Sequence, residues 1–367
     1  MKRLLAVLFM AAFFLYNGSA ALAESRSAVL IVAETGRVLY EKNAHEPLPM
    51  ASTTKVMTAL LALEKGNLQD TVTASRNAFG VPGTSIYLSE GEQLTLEEML
   101  YGLMLQSGND AAVAIAEHIG GSVEEFCRMM TEKAEALGCE NTLFSTPHGL
   151  PSANHHTTAW DLSLIAREAL KNETFRTIVS TQRASIPWAG HDYNRVLNNK
   201  NKLLSTYPGA MGVKTGYTKA AGRCLVFAAR QEDMTLIGVV LNCPEWFDEA
   251  AAILNAGFAN WQRVTMLSAG EAVRQVPVEN GVKEFVTVRA LRDVAAPVAV
   301  DTWPDLVIDL PDILPAGVRQ GQIVGQAKLL DGGQVIADVP LFAEETVAAQ
   351  TFRTRLARIL AAWLMGK

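Results

Sequence analysis

The chain is organised around residues 49–61, which read PMASTTKVMTALL. From Val56 to Leu61 the apolar residues recur at helical spacing, so we predict a buried helix that begins near Ser52. On such a helix Ser52 and Lys55 stand on one face, about 5 to 6 Å apart at their Cβ atoms, and the amine can reach the hydroxyl. The stretch therefore places a nucleophile beside a candidate base.

The position of this pair in the first turn of the helix favours its chemistry. Unpaired N–H groups and the positive end of the helix dipole disfavour an ammonium and favour a developing oxyanion. A neutral Lys55 could therefore deprotonate Ser52. Serine and lysine are common residues, however, and the pair alone is equally compatible with a capped helix that carries a solvated lysine.

The N-terminus has the layout of a secretory signal peptide. Basic residues are followed by an apolar run over residues 4–15 and by the small-residue pattern of residues 21–23. We predict cleavage after Ala23 and an exported protein at the outer face of the cytoplasmic membrane. Removing Lys2 and Arg3 from the 32 basic residues leaves 30 against 38 acidic ones, a net charge of −8. This acidic balance argues against a nucleic-acid partner.

The cysteines give no sign of a metal site. They form no CxxC pair and have no histidines at zinc spacing, so we expect neither a metal nor another cofactor. Each lies in an apolar context, which leaves buried thiols and disulfide bridges both open. The four cysteines are Cys127, Cys139, Cys224 and Cys243.

Residues 24–264 have the pattern of one mixed α/β domain. A hairpin of strands 28–32 and 38–40 precedes the Ser52 helix, and residues 90–180 are mainly helical. Three helices have cap signals at their starts, which are Thr95 with Glu98, Ser122 with Glu125, and Thr158 with Asp161. Strands 224–229 and 235–241 form a second hairpin, and a helix over residues 247–261 closes the domain.

The remainder of the chain has a different pattern. Short valine-rich runs separated by glycine and proline predict a small all-β domain over residues 265–342. In residues 346–367 an apolar stripe recurs at helical spacing opposite arginines, which predicts an amphipathic helix too charged to span a bilayer. Such a helix can anchor the protein to the membrane surface. The stripe comprises Phe352, Leu356, Ile359, Leu360, Trp363 and Leu364.

Two further motifs follow the Ser52–Lys55 pair along the chain. Ser107-Gly108-Asn109 lies at a hinge between two predicted helices, where its side chains can project into a cleft. Two other SxN tripeptides, at residues 75–77 and 152–154, have the context of ordinary turns. Lys214-Thr215-Gly216 lies on a predicted strand, where a cation, a hydroxyl and a glycine suit an extended peptide with a terminal carboxylate.

The order SxxK, SxN and KTG resembles the penicillin-binding and serine β-lactamase superfamily. Residues 83–88, 99–112, 146–150 and 212–218 look like the low-molecular-mass D-alanyl-D-alanine carboxypeptidases, as do the β domain and the amphipathic tail. The resemblance thus covers nearly the whole mature chain. It implies an antiparallel sheet with flanking helices beside a helical subdomain, and a site in the cleft between them.

The resemblance also implies roles for the motif residues. Ser52 would attack the bond between two D-alanines of a peptidoglycan stem peptide, with Lys55 as its base, and penicillins and other β-lactams would acylate Ser52. Ser107 would relay the proton to the leaving amine, and Asn109 would hold the substrate amide. Residues 214–217 would bind substrate. Among them Lys214 and Thr215 would bind the carboxylate, Gly216 would let the substrate backbone come close, and the N–H of Tyr217 would complete an oxyanion hole with that of Ser52.

Some features fit this family less directly. Relatives often carry a basic residue in the loop that corresponds to residues 244–248, where this chain has PEWFD. Carboxylate recognition then falls to Lys214 and Thr215. We interpret His148 and His155 as structural, because the mechanism already has its base.

Two alternatives remain at this point. A class A serine β-lactamase would share the three motifs and add a glutamate in an ExxxN pattern, which Glu168 and Asn172 spell inside or at the end of a predicted helix. A non-catalytic peptidoglycan-binding protein would use the fold only to hold stem peptides. Such a protein would have no need of Ser52, Lys55, Ser107 and Lys214 together.

Overall fold

The structure is a computed structural model that describes residues 25–353 together with Arg355, Leu356, Leu360 and Trp363. These residues form two compact units that divide between Phe258 and Ala259. The predicted signal peptide and part of the predicted tail helix lie outside the described residues.

The first unit is built on a five-stranded antiparallel sheet. Its strands are β1 (Ser27–Val32), β2 (Val38–Lys42), β7 (Ala210–Thr218), β8 (Gly222–Gln231) and β9 (Met234–Leu241), in the order β2-β1-β9-β8-β7. Every residue of β1 is buried, as are nearly all residues of β9, because helices cover the sheet. Among the strands of the described residues, β7 is at an edge of this sheet, where alternate backbone groups on its outer side have no strand partner.

The predicted Ser52 helix is confirmed, with a tighter start than expected. Ala51–Thr54 forms a 3-10 turn, and helix α1 (Lys55–Lys65) continues from it. From Lys55 to Ala62 every residue of α1 is buried. Ser52 therefore lies at the N-terminal end of a helix that runs through the core.

The helical part of the unit follows the predicted caps. Its helices are α2 (Leu96–Tyr101), α3 (Asn109–Gly120), α4 (Val123–Ala136), α5 (Ala159–Ala169) and α6 (Glu173–Ser180). Thr95 and Glu98 form the reciprocal capping box, while Ser122 and Thr158 each accept a backbone N–H. The sequence pattern did not indicate the π-helical segment Gly102–Gln106, which replaces the last turn of the predicted helix 96–105.

The other elements of this unit are short. Strands β3 (Thr71–Thr73) and β4 (Gln93–Thr95) pair with each other, as do β5 (Arg183–Ile186) and β6 (Arg195–Asn198). Helix α7 (Leu203–Thr206) precedes β7, and helix α8 (Trp246–Asn260) follows β9. Trp261, predicted as the last residue of this helix, begins a strand instead.

The second unit is all-β, as predicted. Its strands are β10 (Trp261–Leu267), β11 (Ala272–Glu279), β12 (Phe285–Ala290), β13 (Val294–Ala299), β14 (Asp305–Asp309), β15 (Leu314–Pro315), β16 (Ile323–Asp331) and β17 (Gln334–Ala343). A six-stranded sheet has the order β14-β16-β17-β12-β11-β15, and a further pair joins β10 to β13. A valine-rich core fills this unit, since alternate residues of the strands point inward.

The start of the predicted tail belongs to this β unit. Val347 is fully buried and bridges Val318, and Ala349 bridges Gly281. The described apolar side chains beyond them are exposed, with Phe352 at 81% and Trp363 at 79%. Within the part of the chain that the structure describes, no helix has the length and apolar character needed to cross a membrane.

Candidate active site

Lys55 makes polar contacts with three groups at the centre of the first unit. Its Nζ atom lies 3.1 Å from Ser52 Oγ, 2.7 Å from Asn109 Oδ1 and 2.8 Å from the backbone oxygen of His148. The side chain is fully buried. The contacts with Ser52 and Asn109 bring together residues of the SxxK and SxN motifs.

The surroundings of Lys55 favour the neutral amine. Burial is the largest cause that lowers its pKa well below the ordinary value, and the positive charges of Lys214 and Lys200 lower it further. Asp110 opposes this shift, but more weakly. A lysine that favours the neutral form therefore lies within hydrogen-bond distance of the Ser52 hydroxyl.

The Ser107–Asn109 hinge is held by the loop that precedes it. Ser107 has a left-handed backbone with φ of 64°, directly after the π-helical segment, and its backbone oxygen accepts a hydrogen bond from Thr84 Oγ1 at 2.5 Å. Asn109 donates from Nδ2 to the backbone oxygen of Pro82 at 2.7 Å, which turns Oδ1 towards Lys55. The π-helical segment and the left-handed conformation of Ser107 thus direct the side chains of Ser107 and Asn109 into one cleft.

Asp110 ties the same loop to helix α3. Its carboxylate accepts hydrogen bonds from Ser85 Oγ and from the backbone N–H groups of Ile86 and Leu88. The loop that carries Gly83 and Thr84 is therefore fixed against the hinge.

The third motif lies on the edge strand β7. Lys214 is buried and donates to the backbone oxygen of Thr215 at 3.1 Å, and burial, with Lys200, lowers its pKa to about 7. Gly216 faces the nucleophile so closely that an added Cβ would lie 2.8 Å from the backbone nitrogen of Ser52. Only glycine leaves room for a ligand atom there.

A cavity of about 400 Å³ joins these elements. Of the predicted site residues, Ser52, Ser107, Asn109, Thr215, Gly216 and Tyr217 line it. Lys55 and Lys214 are buried behind this lining and reach it through their contacts.

The sequence analysis assigned no role in the site to several lining residues, although all but Lys200 lie in stretches that it discussed. They are Gly83, Thr84, Gly149, Leu150, Lys200, Thr218 and Trp246. Lys200 bears most directly on carboxylate recognition, because it places a cation in the cavity wall. The loop 244–248 supplies no such cation. Lys200 lies among other polar residues in NNKNK, and no motif distinguished it.

The other expectations concern the cysteines and the SxN copies. All four cysteines are buried thiols. Among the described residues no three His, Cys, Asp or Glu side chains are grouped as metal ligands. Residues 75–77 form a turn in which Ser75 Oγ accepts the N–H of Asn77, and residues 152–154 also lie in a turn, as predicted.

The site defines a class of enzyme. A serine at the start of a buried helix, a buried lysine within hydrogen-bond distance of its hydroxyl, and an edge strand close to that serine form the arrangement expected of a serine hydrolase.

Comparisons with known proteins identify the family. Residues 17–245 match the model of the D-alanyl-D-alanine carboxypeptidases, peptidase family S11, and residues 261–349 match the C-terminal domain of penicillin-binding protein 5. The D-alanyl-D-alanine carboxypeptidase DacF of Bacillus subtilis is 36% identical over 94% of this chain and 91% of its own. DacC of Escherichia coli is 31% identical over 91% and 86%.

A solved structure agrees with both matches. Penicillin-binding protein 5 from Haemophilus influenzae has a TM-score of 0.75 and 28% identity, and the similarity covers 90% of this chain and all of that one. The chain belongs to the D-alanyl-D-alanine carboxypeptidase family and is a serine peptidase.

The β-lactamase alternative finds no support at Glu168. Glu168 lies on α5, its carboxylate is 2.5 Å from Nζ of Lys171 just beyond the helix, and Glu168 is not among the residues that line the cavity. Asn172 caps the next helix by accepting the N–H of Phe175. Both residues therefore have structural partners away from the site.

Proposed function

We propose that this enzyme removes the terminal D-alanine from peptidoglycan stem peptides through an acyl-enzyme on Ser52. Penicillins would acylate the same hydroxyl and remain attached. The names of the relatives support the substrate class, and the arrangement around Lys55 supports the chemistry.

The single observation that carries the proposal is the set of partners of Lys55. The oxygens of Asn109 and His148 can only accept hydrogen bonds. A neutral amine has two N–H groups, which these two acceptors use, and one lone pair. That lone pair is left for the proton of Ser52, so the geometry suits proton removal by Lys55.

The attack step follows from this arrangement. Ser52 Oγ adds to the carbonyl carbon between the two D-alanines while its proton passes to Lys55. The resulting oxyanion would lie between the backbone N–H groups of Ser52 and Tyr217, and the close approach of Gly216 to Ser52 supports that position.

Release of D-alanine completes the first half of the reaction. The C–N bond breaks, and the proton held by Lys55 reaches the departing amine, with Ser107 as the relay. Asn109 would also hold the substrate amide. Water then attacks the ester carbonyl while Lys55 takes one of its protons, the C–O bond to Ser52 breaks, and Lys55 returns the proton to Ser52 Oγ.

Recognition of the substrate would come from the edge strand. An extended peptide can lie alongside β7, because the strand has no neighbour on that side within its sheet. Lys214 and Thr215 would hold the terminal carboxylate, and Lys200 adds a positive charge in the cavity wall. These cations suit a substrate that ends in a free carboxylate.

We also propose where in the cell the enzyme acts, from the residue patterns of its terminal segments. We place catalysis in residues 24–264, with residues 265–342 as a β domain, and we propose export after cleavage at Ala23. The exposed Phe352, Leu356, Leu360 and Trp363 support a tail that rests on the membrane surface among acyl chains.

The test is hydrolysis of a pentapeptide that ends in D-Ala-D-Ala. Purified enzyme should release one D-alanine per peptide and leave a tetrapeptide, measured by a coupled D-amino-acid oxidase assay and by mass spectrometry. A peptide that ends in L-Ala-L-Ala is the matched control and should remain intact. Absence of D-alanine release from a protein that binds penicillin would exclude the carboxypeptidase proposal.

A further inference from the structure

A buried chain of hydrogen bonds connects the loop before α5 to the nucleophile. The backbone N–H of Ser145 donates to His155 Nδ1 at 3.0 Å, and His155 Nε2 lies 2.8 Å from Thr54 Oγ1. Thr54 Oγ1 in turn donates to the backbone oxygen of Ala51 at 2.8 Å. Thr54 is fully buried and His155 is 5% exposed, so water does not compete for these bonds.

The positions of the protons along these hydrogen bonds are determined by the groups at the two ends, the N–H of Ser145 and the carbonyl of Ala51. Because Ser145 supplies an N–H, Nδ1 of His155 must be the acceptor, and the ring proton of the neutral imidazole is on Nε2. That proton goes to Thr54 Oγ1, which leaves the threonine hydroxyl only one direction for its own proton. The hydroxyl therefore donates to Ala51, and each bond polarises the next.

The chain of hydrogen bonds ends at Ala51, a residue with a strained backbone. Ala51 has φ of 48°, a left-handed backbone that residues other than glycine rarely adopt. Gly149 packs on its carbonyl so closely that an added Cβ would lie 1.8 Å from the Ala51 oxygen. The unusual conformation is thus held from two sides.

The strained peptide unit is the one that carries the N–H of Ser52. A trans peptide is planar, and its C=O and N–H point in opposite directions. Whatever fixes the direction of the Ala51 carbonyl therefore also fixes the direction of the Ser52 N–H. This is the group that the proposed function places in the oxyanion hole.

We propose that His155 is a positioning residue that, through Thr54, aims the Ser52 N–H at the oxyanion. The inference rests on the proposed function, because it assigns a purpose to an oxyanion-hole amide. It goes beyond the structural interpretation given to His155 from the sequence.

The electrostatic surroundings agree with this assignment. Burial, with smaller effects from His156 and Lys55, lowers the pKa of His155 to about 4. The ring is therefore neutral at neutral pH, as the hydrogen-bond chain requires. The edge of the ring contacts Phe144, which helps to hold its plane.

The experiment measures the rate of acylation by a fluorescent penicillin. Thr54→Val keeps the shape of the side chain and removes the hydroxyl, and we expect acylation to slow by about 10- to 100-fold. Thr54→Ser retains the hydroxyl and should acylate at close to the wild-type rate. His155→Leu should slow acylation to a similar extent as Thr54→Val, and the double variant should be no slower than either.

Two controls separate positioning from folding. Ser163 is fully buried on α5 and donates to the backbone oxygen three residues earlier, as Thr54 does, so Ser163→Ala removes a comparable bond away from the site. It should lower Tm without changing the acylation rate. The final labelling stoichiometry of each variant reports its folded fraction. If His155→Leu does not fold, the acylation rate of Thr54→Val alone tests the proposal.

The result that would overturn the inference is wild-type acylation by Thr54→Val. Effects of Thr54→Val and His155→Leu that multiply in the double variant would also overturn it, because they would then act separately. Failure of the proposed function has a different signature, since wild-type enzyme would then release no D-alanine from the pentapeptide, whatever the effect of Thr54→Val on acylation by penicillin.

Discussion

The Oδ1 atom of Asn109 lies 2.7 Å from the Nζ atom of Lys55, and this contact links the second motif to the lysine of the first. An amide oxygen at this distance accepts an N–H without requiring that the lysine be charged. A carboxylate in the same place would favour the ammonium. The choice of asparagine therefore bears directly on the protonation state of Lys55.

Asn109→Asp should inactivate the enzyme near neutral pH. The new carboxylate raises the pKa of Lys55, and the ammonium can no longer take the proton of Ser52. We expect acylation by penicillin to slow at least about 100-fold at pH 7, as removal of general-base catalysis typically costs 10²- to 10⁴-fold. Stopped-flow acylation across pH should also show partial recovery under alkaline conditions, where Lys55 deprotonates. Asn109→Ala, which adds no charge, should show no such recovery, and equal pH profiles for the two variants would contradict this account.

The pH dependence of kcat/KM should have an alkaline limb set by Lys214. Burial and Lys200 lower its pKa to about 7, so the free enzyme loses this positive charge as pH rises through that value. Binding of a terminal carboxylate then weakens, and kcat/KM falls while kcat changes less. In Lys214→Arg the guanidinium stays charged, so the limb should disappear even if overall activity is lower. Persistence of the same limb in Lys214→Arg would assign it to another group.

Gly216→Ala should block the oxyanion hole without unfolding the protein. The added Cβ would lie 2.8 Å from the nitrogen of Ser52 and 3.0 Å from that of Thr53, where a substrate oxygen must fit. Loss of one such donor costs about 2.7 to 4 kcal/mol of transition-state stabilisation. We therefore expect kcat on the pentapeptide to fall about 10²- to 10³-fold, with a thermal transition by circular dichroism that is lowered but still cooperative, because the backbone at Ser52 must shift to admit the Cβ. Wild-type turnover would show that the oxyanion lies elsewhere.

The sequence predicted the architecture well because its signals are local. Apolar spacing placed the Ser52 helix and the β8–β9 hairpin, and the side-chain pattern of Thr95 and Glu98 placed a capping box that is present. The three motifs also predicted which residues meet, and the contacts from Lys55 to Ser52 and Asn109 agree. Each of these features depends on residue types at fixed spacing.

The features that were missed depend on the backbone or on distant packing. Ala51 and Ser107 adopt left-handed conformations for which alanine and serine have little preference. These conformations therefore could not be predicted from residue type. The third partner of Lys55 is a backbone oxygen, that of His148, which any residue could supply. Lys200 reaches the cavity only because the chain after β6 returns to it.

The predicted start of the tail helix was also wrong, because it depends on distant packing. Apolar spacing placed the start of the helix at Thr346, yet Val347 packs into the β unit, where its burial depends on residues distant in sequence. Gln350 also donates to the backbone oxygen of Gly281. A truncation that tests the tail should therefore retain residues up to Thr351.

A mature chain that ends at Thr351 should be fully active but should not bind membranes. The exposed apolar side chains from Phe352 onward would insert among acyl chains, with the arginines at anionic headgroups. We expect the intact mature chain to sediment with anionic liposomes and to be partly released by salt, while the truncated chain stays in the supernatant. Leu356→Asp with Leu360→Asp in the full chain is the matched control and should also abolish sedimentation. Equal partitioning of intact and truncated chains would refute the membrane anchor.

The central claim is that Ser52 forms the acyl-enzyme with Lys55 as its base. Its most direct test is peptide mapping by mass spectrometry after incubation with benzylpenicillin. We predict a stoichiometric adduct on the peptide that contains Ser52, no adduct in Ser52→Ala, and almost none in Lys55→Arg, whose guanidinium cannot accept a proton. An adduct on any other residue, or full labelling of Ser52→Ala, would contradict the account.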